Sequence, residues 1–265
     1  MNWIEKALLR LAVEPAVLLS VRASQGSVPR EAGTSMLVFA QGEEGTIGGG
    51  HLEFQALDHA RRLMAGQTAQ LVLRQVLGPS LGQCCGGTLE LGFELVDAKD
   101  AARLQTQWTG ARTPLALFGG GHVGKALVNS LAPLPFAVRW IDSRDEIFPP
   151  DVPSEVQCEH SNPVHAAVKD LVPGSRVLIM SFSHAEDLDV VMACLQRQRE
   201  LGDLPFVGLI GSKTKWATFR HRLEDRGFSA KEIAHITCPI GVAGIAGKEP
   251  EVIAVAVAAQ LLQTL

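Results

Sequence analysis

Apolar and polar positions alternate in two different ways along this chain. From Leu115 onward, short apolar runs take turns with stretches whose apolar residues recur at helical spacing. Leu115-Ala116-Leu117-Phe118 predicts a strand that runs into three glycines. Val123, Leu127 and Leu131 then fall at i, i+4 and i+8, one face of a helix that Pro133 stops. Phe136 to Ile141 predicts the next strand, ending on Asp142. Asn162-Pro163 suits the N-cap and first position of a short helix. Arg176 to Met180 predicts a third strand, and Ser183 with Glu186 a capping box opening a helix through Arg197. Leu204 to Ile210 predicts a fourth strand, after which Gly211-Ser212 opens another helix. Ser229 and Glu232 form a second capping box, and Pro250 sits where a first helical turn tolerates it. Strands alternating with helices predict a doubly wound parallel α/β sheet of the Rossmann type.

The first half lacks that regular alternation. Its pattern predicts helices over 3–12 and 51–65 and strands over 16–22, 35–40, 45–48, 69–76 and 88–96, with loops over 24–35 and 78–87. Runs of strands with few helices predict an α+β domain. The polar stretch 97–113 is helix-compatible and ends near Gly110 and Pro114, which places a boundary between domains 1–112 and 113–265. The fold class is therefore α/β, an N-terminal α+β domain followed by a Rossmann-like doubly wound sheet.

Gly-Gly-Gly-His occurs twice, at Gly48-Gly49-Gly50-His51 and at Gly119-Gly120-Gly121-His122. In the second copy Gly119, Gly121 and Gly124 form a GxGxxG between a predicted strand and helix, with Asp142 about twenty residues on. Gly119 permits the tight turn, Gly121 lets a phosphate approach the backbone, and Gly124 lets the helix pack on the strand. The free N–H groups of the helix start favour an anion, and Asp142 suits ribose hydroxyls. In the first copy Glu53 replaces the third glycine, so it is not a dinucleotide fingerprint; its glycines suit a backbone anion nest with Glu53 as a polar ligand.

The net charge of −4, without a Lys/Arg cluster, argues against nucleic acid. The N-terminal amphipathic stretch carries Glu5 and lacks a small-residue cleavage site, so no secretion signal is expected. The apolar run from Ile253 to Ala259 is too short to span a bilayer. Five cysteines without framework spacing fit a reducing, cytoplasmic location.

Cysteines also supply candidate chemistry. Cys84-Cys85, set between glycines, suit a soft metal, a persulfide or redox chemistry, and lack the spacing of structural zinc. Arg30, in the loop Gly26 to Met36, suits bidentate contact with an anion. Cys194 falls on a predicted helix face, and Cys238 lies in a loop that could border a ligand cleft. His184 and Lys213 lie at strand-to-helix turns, the edge where ligands bind in such sheets. The chain has no Tyr, which excludes a Tyr-Lys reductase pair.

The stretches GSVPREAGTSM, TIGGGHLE, QCCGG, FGGGHVGKAL, SHAEDL, GLIGSKTK and CPIGVAGI, in that order from about residue 15 to 260, resemble the XdhC/CoxI family of xanthine dehydrogenase accessory proteins. The resemblance implies an XdhC/CoxI domain followed by a Rossmann domain. It implies a carrier rather than a catalyst, with no catalytic residue. Such a chaperone binds the molybdenum cofactor (molybdopterin), holds it while a cysteine desulfurase adds the sulfido ligand, and delivers it to the molybdenum subunit of xanthine dehydrogenase. On that reading Cys84 and Cys85 are candidate molybdenum or sulfur contacts. Arg30, Gly48, Gly49, Gly50 and Glu53 are candidates for the cofactor cleft. Gly119, Gly121, Gly124, Asp142 and His184 belong to the Rossmann site, where NAD(P) or another nucleotide is a second ligand class. A homodimer is the family-level expectation. The alternative is an NAD(P)-dependent oxidoreductase using the Rossmann half directly.

Overall fold

The computed structural model describes residues 3–68, 70–77, 86–110, 112–153 and 155–265. Contacts along the chain divide it into two units between Gly110 and Ala111.

The first unit contains α1 (Trp3–Leu11), β1 (Ala16–Gln25), β2 (Ser35–Val38), β3 (Glu43–Gly45), α2 (Gly50–Met64), β4 (Val72–Val76), β5 (Thr88–Val96) and α3 (Ala101–Thr109). Its five strands form an antiparallel sheet in the order β3-β2-β1-β5-β4. The start of β1 is apolar at every position because both faces are covered. Val17, Leu19 and Val21 pack with Leu52, Ala56, Ala60 and Leu63 of α2. Ala16 and Leu18 point the other way, onto Ala7, Leu11 and Leu104 of α1 and α3. Ser35 is buried in the sheet, and Trp108 Nε1 donates to its Oγ at 2.8 Å. The strand expected over 45–48 lies earlier, at Glu43–Gly45, while Ile47 is buried with the α2 face.

The second unit contains β6 (Thr113–Phe118), α4 (His122–Leu131), β7 (Phe136–Asp142), β8 (Val156–His160), β9 (Arg176–Ile179), α5 (His184–Leu201), β10 (Phe206–Leu209), α6 (Lys213–Asp225), α7 (Ala230–Ile233), β11 (Ile236–Thr237) and α8 (Pro250–Leu262). All neighbouring strands are parallel, in the order β11-β10-β9-β6-β7-β8. Counted from β6, this is the 3-2-1-4-5-6 order of a Rossmann sheet, with its switch point between β6 and β9. One face packs against α5, α6 and the 3₁₀ turn Val164–Asp170, the other against α4 and α8.

Two local expectations need correction. Pro163 is extended (ψ 143°), so the 3₁₀ turn starts at Val164 and Asn162 does not cap it. Ser183 does cap α5 by accepting from the Glu186 N–H, but the Glu186 carboxylate does not complete a box on Ser183. It accepts instead from Phe182 N at 3.1 Å and from Ser143 Oγ at 2.7 Å. The Ser229–Glu232 box is complete.

Candidate functional site

In the first unit, one loop links two of the sequence motifs. Gly48 (φ 120°) packs so closely on the loop after β1 that a β-carbon there would lie 2.7 Å from Pro29 Cβ and 3.4 Å from Arg30 Cγ. The same loop meets Gly87, where a β-carbon would lie 2.5 Å from Gln25 O and 2.6 Å from Ser27 O. Gly87 N donates to Ser27 O at 3.1 Å. The loop carrying Arg30 thus runs between the first GGGH turn and the glycine pair that follows Cys84-Cys85. Cys84 and Cys85 themselves lie outside the described residues.

Glu53 does something different from the ligand role expected of it. Its Oε2 accepts from Thr46 Oγ1 at 2.5 Å, Ile47 N at 2.8 Å and Gly49 N at 3.1 Å. The backbone amides that would make an anion nest therefore hold the chain's own carboxylate. What remains for an external anion is the first turn of α2 from Gly50 (φ 69°) onward, since the Gly49 N–H is already held by Glu53; among the described residues the Gly49 N-cap offers no side chain to these N–H groups. Arg30 is exposed beside it and has no carboxylate partner among the described residues.

In the second unit the glycine turn has the geometry its spacing predicts. Gly119 (φ 123°) abuts the Met180 carbonyl at the end of β9, leaving no room for a side chain. Gly124 faces the Gly119 carbonyl just as closely, and Trp140 Nε1 donates to that oxygen at 3.0 Å. Gly121 faces open space and ends the turn as the N-cap of α4, with no side-chain cap.

Asp142 ends β7 as predicted, but it does not present a free carboxylate. It is 1% exposed. Oδ1 accepts from Arg144 N and Nε, both at 2.9 Å, and Oδ2 from Gly120 N at 2.5 Å and an Arg144 Nη at 2.9 Å. Burial opposes its charge, yet the Arg144 fork and the two backbone N–H groups outweigh that and hold its pKa below the usual value.

Sequence reasoning missed the most buried charge pair of this edge. Asp187 on α5 and Lys215 on α6 meet beyond β9 and β10, with Lys215 Nζ also donating to Ile210 O at 2.8 Å. Ser181 N donates to Asp187 Oδ1 at 2.7 Å, while the Ser181 hydroxyl is buried with no partner among the described residues. Cys238 packs nearby: a β-carbon on Gly211 would touch both Lys215 Cδ and Cys238 Sγ. The available signal was the third position after Ser212 in GSKTK, where Lys215, not Lys213, turns inward. His184 is exposed and meets the Phe219 ring edge-on, and Lys213 is exposed. Cys194 is fully buried, which pushes its thiol to about 12; burial raises Cys238 to about 11. Among the described residues, no group of three His, Cys, Asp or Glu side chains is placed to hold a metal ion, and no helix is long and apolar enough to cross a membrane.

Comparison with known proteins agrees with this architecture. A Bacillus halodurans crystal structure described as a xanthine dehydrogenase superposes with a TM-score of 0.78, covering 100% of this chain and 96% of that one at 20% identity, a likeness of fold. The uncharacterized Escherichia coli protein YqeB is 27% identical over 256 residues; the match takes in 94% of this chain but 43% of that protein's length. The XdhC and CoxI family matches residues 9–75, and the XdhC Rossmann domain matches residues 115–261. The chain thus belongs to the XdhC and CoxI family.

Proposed function

We propose that this protein binds the molybdenum cofactor, holds it for sulfuration and delivers it to a molybdenum hydroxylase. Family membership supports a role in xanthine dehydrogenase maturation. The observation that carries the finer reading is the loop from Gln25 to Arg30, packed against Gly48 at one end and Gly87 at the other. It brings Arg30, which has no carboxylate partner among the described residues, close to the first turn of α2 and to the glycines that flank the Cys84-Cys85 pair.

These groups fit the proposed cargo. A pterin phosphate is an anion, and Arg30 with the first N–H groups of α2 would hold it. Cys84 and Cys85 would supply soft sulfur donors to molybdenum or to the sulfur being transferred. Glu53 would act indirectly, by fixing the turn. The partners on this reading are a cysteine desulfurase and the molybdenum subunit of a xanthine dehydrogenase, with the carrier a cytoplasmic homodimer.

The test is to mix the purified chain with released cofactor and to measure molybdenum and pterin after gel filtration. Co-elution that weakens when Cys84 and Cys85 are both changed to Ala is the expected result. No co-elution at micromolar protein would overturn the reading.

A further inference from the structure

A doubly wound sheet binds its ligand outside the carboxyl ends of the strands where the order reverses. Here that point lies between β6 and β9. A dinucleotide's adenosine arm extends from it toward β7, where the acid ending that strand takes the ribose hydroxyls. In this chain the β7 side is filled by the protein's own groups.

A carboxylate offers about four acceptor positions. On Asp142 Arg144 takes three of them and Gly120 N the fourth. The Arg144 guanidinium also lies 4.5 Å over the Phe182 ring, so the loop after β7 is stacked on the loop after β9. Ser143 Oγ and Phe182 N both donate to the Glu186 carboxylate, which ties the same two loops a second time. Ile147 covers the glycine turn itself: a β-carbon on Gly120 would sit 2.7 Å from its Cγ1.

We propose that Arg144 and Phe182 close the adenosine side of the crevice, so that the Rossmann unit takes no nicotinamide adenine dinucleotide and its glycine turn serves a ligand without an adenosine arm. A ribose diol reaches Asp142 only by displacing the guanidinium, which strips a buried carboxylate of its counter-charge. A 2′-phosphate fares no better, because the Arg144 fork already spends Nε and one Nη on Asp142, which neutralises it. Arg144 is thus a specificity-determining residue whose sequence signature, an Arg two places after the acid, looks neutral until its fork is seen closed on Asp142. The inference does not depend on which cofactor the first unit binds.

Titration calorimetry of the full chain with NAD⁺, NADP⁺ and ADP-ribose tests it. Wild type should give no saturable binding up to millimolar ligand. The Arg144→Ala/Phe182→Ala variant, checked for folding by circular dichroism, should bind ADP-ribose at least about tenfold more tightly than wild type. Micromolar binding of NAD⁺ to wild type would overturn the proposal. So would NADP⁺ binding that Arg144→Ala abolishes, since Arg144 would then read the 2′-phosphate. A folded double variant with no gain would also overturn it, because the stack would not be what closes the crevice. Should the double variant not fold, Phe182→Ala alone serves the same comparison: Phe182 is 66% exposed, and its truncation should also raise ADP-ribose affinity.

Discussion

Asp187 and Lys215 meet at 2.6 Å from the first turns of α5 and α6, with side chains only 3% and 11% exposed. The pair pins two helix starts to the carboxyl edge of the sheet, next to the switch point. Burial raises the Asp187 pKa even though Lys215 opposes the rise, so the carboxylate depends on its ammonium partner.

Removing one partner should therefore cost more than removing both. Lys215→Ala leaves a buried carboxylate uncompensated and should destabilise the fold by about 3–5 kcal/mol. Lys215→Met combined with Asp187→Leu should recover most of that loss, because a buried ion pair replaced by apolar groups is often close to neutral. Urea unfolding of the wild type and both variants checks this. A double variant no more stable than Lys215→Ala would mean that Asp187 stabilises through Ser181 N rather than through Lys215.

The three glycines of the GxGxxG should not respond alike, with Gly119 and Gly124 set apart from Gly121. Gly119 and Gly124 each face a carbonyl with no room for a methyl group, and Gly119 also needs its positive φ. Gly124→Ala should cost about 3 kcal/mol or more, since neither the Gly119 carbonyl nor the α4 backbone can yield cheaply. Gly121→Ala meets open space at φ −68° and should stay within about 1 kcal/mol of wild type. Chemical denaturation reads both. Equal losses would mean that the turn is set by something other than these two contacts.

The Rossmann half was legible because its signals are local. Each of the four inner parallel strands is a short, largely apolar run, each helix opens with Ser, Gly or Pro, and the GxGxxG spacing allows few backbone paths. The strands that escaped, β8 and β11, lie at the two edges of the sheet, where β8 keeps only Val156 buried and β11 is two residues long. The candidate sites were harder to read, since sequence names residue types but not partners. Glu53 and Asp142 both looked like carboxylates awaiting a ligand. Each closes on its own glycine turn instead, through Gly49 N and Gly120 N. Nothing in the residue order distinguishes an acid that binds a ribose from one that binds its own loop. The Asp187–Lys215 pair spans 28 residues and has no periodic signature at all.

The Asp142 clamp should appear in the acid limb of the stability profile. Its folded pKa lies below the ordinary 3.8, so it contributes stability that is present above pH 3.8 and lost as pH falls from there through the folded value. Asp142→Asn should be less stable than wild type at pH 7. The gap between the two proteins should narrow below pH 3.8, as the wild-type carboxyl takes up its proton. Thermal melts from pH 3 to 7 measure that difference directly, and a gap independent of pH would show that the charge of Asp142 is not what holds Gly120 and Arg144.

Arg30 and Glu53 should separate binding from folding in the first unit. Arg30 is exposed and has no carboxylate partner among the described residues, so Arg30→Ala should leave the unfolding midpoint within the spread of ordinary surface changes, about 0.5 kcal/mol. If the guanidinium holds a phosphate group, the same change should weaken pterin retention on gel filtration by about tenfold or more, one charge-assisted hydrogen bond being worth about 1.5–3 kcal/mol. Arg30→Lys should recover part of the retention, since it keeps the charge and loses the fork. Glu53→Ala should behave in the opposite order. It strips the acceptor from Thr46 Oγ1, Ile47 N and Gly49 N, so it should lower stability first and retention only as the turn loosens. Retention unchanged in Arg30→Ala would remove that residue from the site. A Glu53→Ala protein that stays as stable as wild type while losing the cofactor would make Glu53 a direct contact after all.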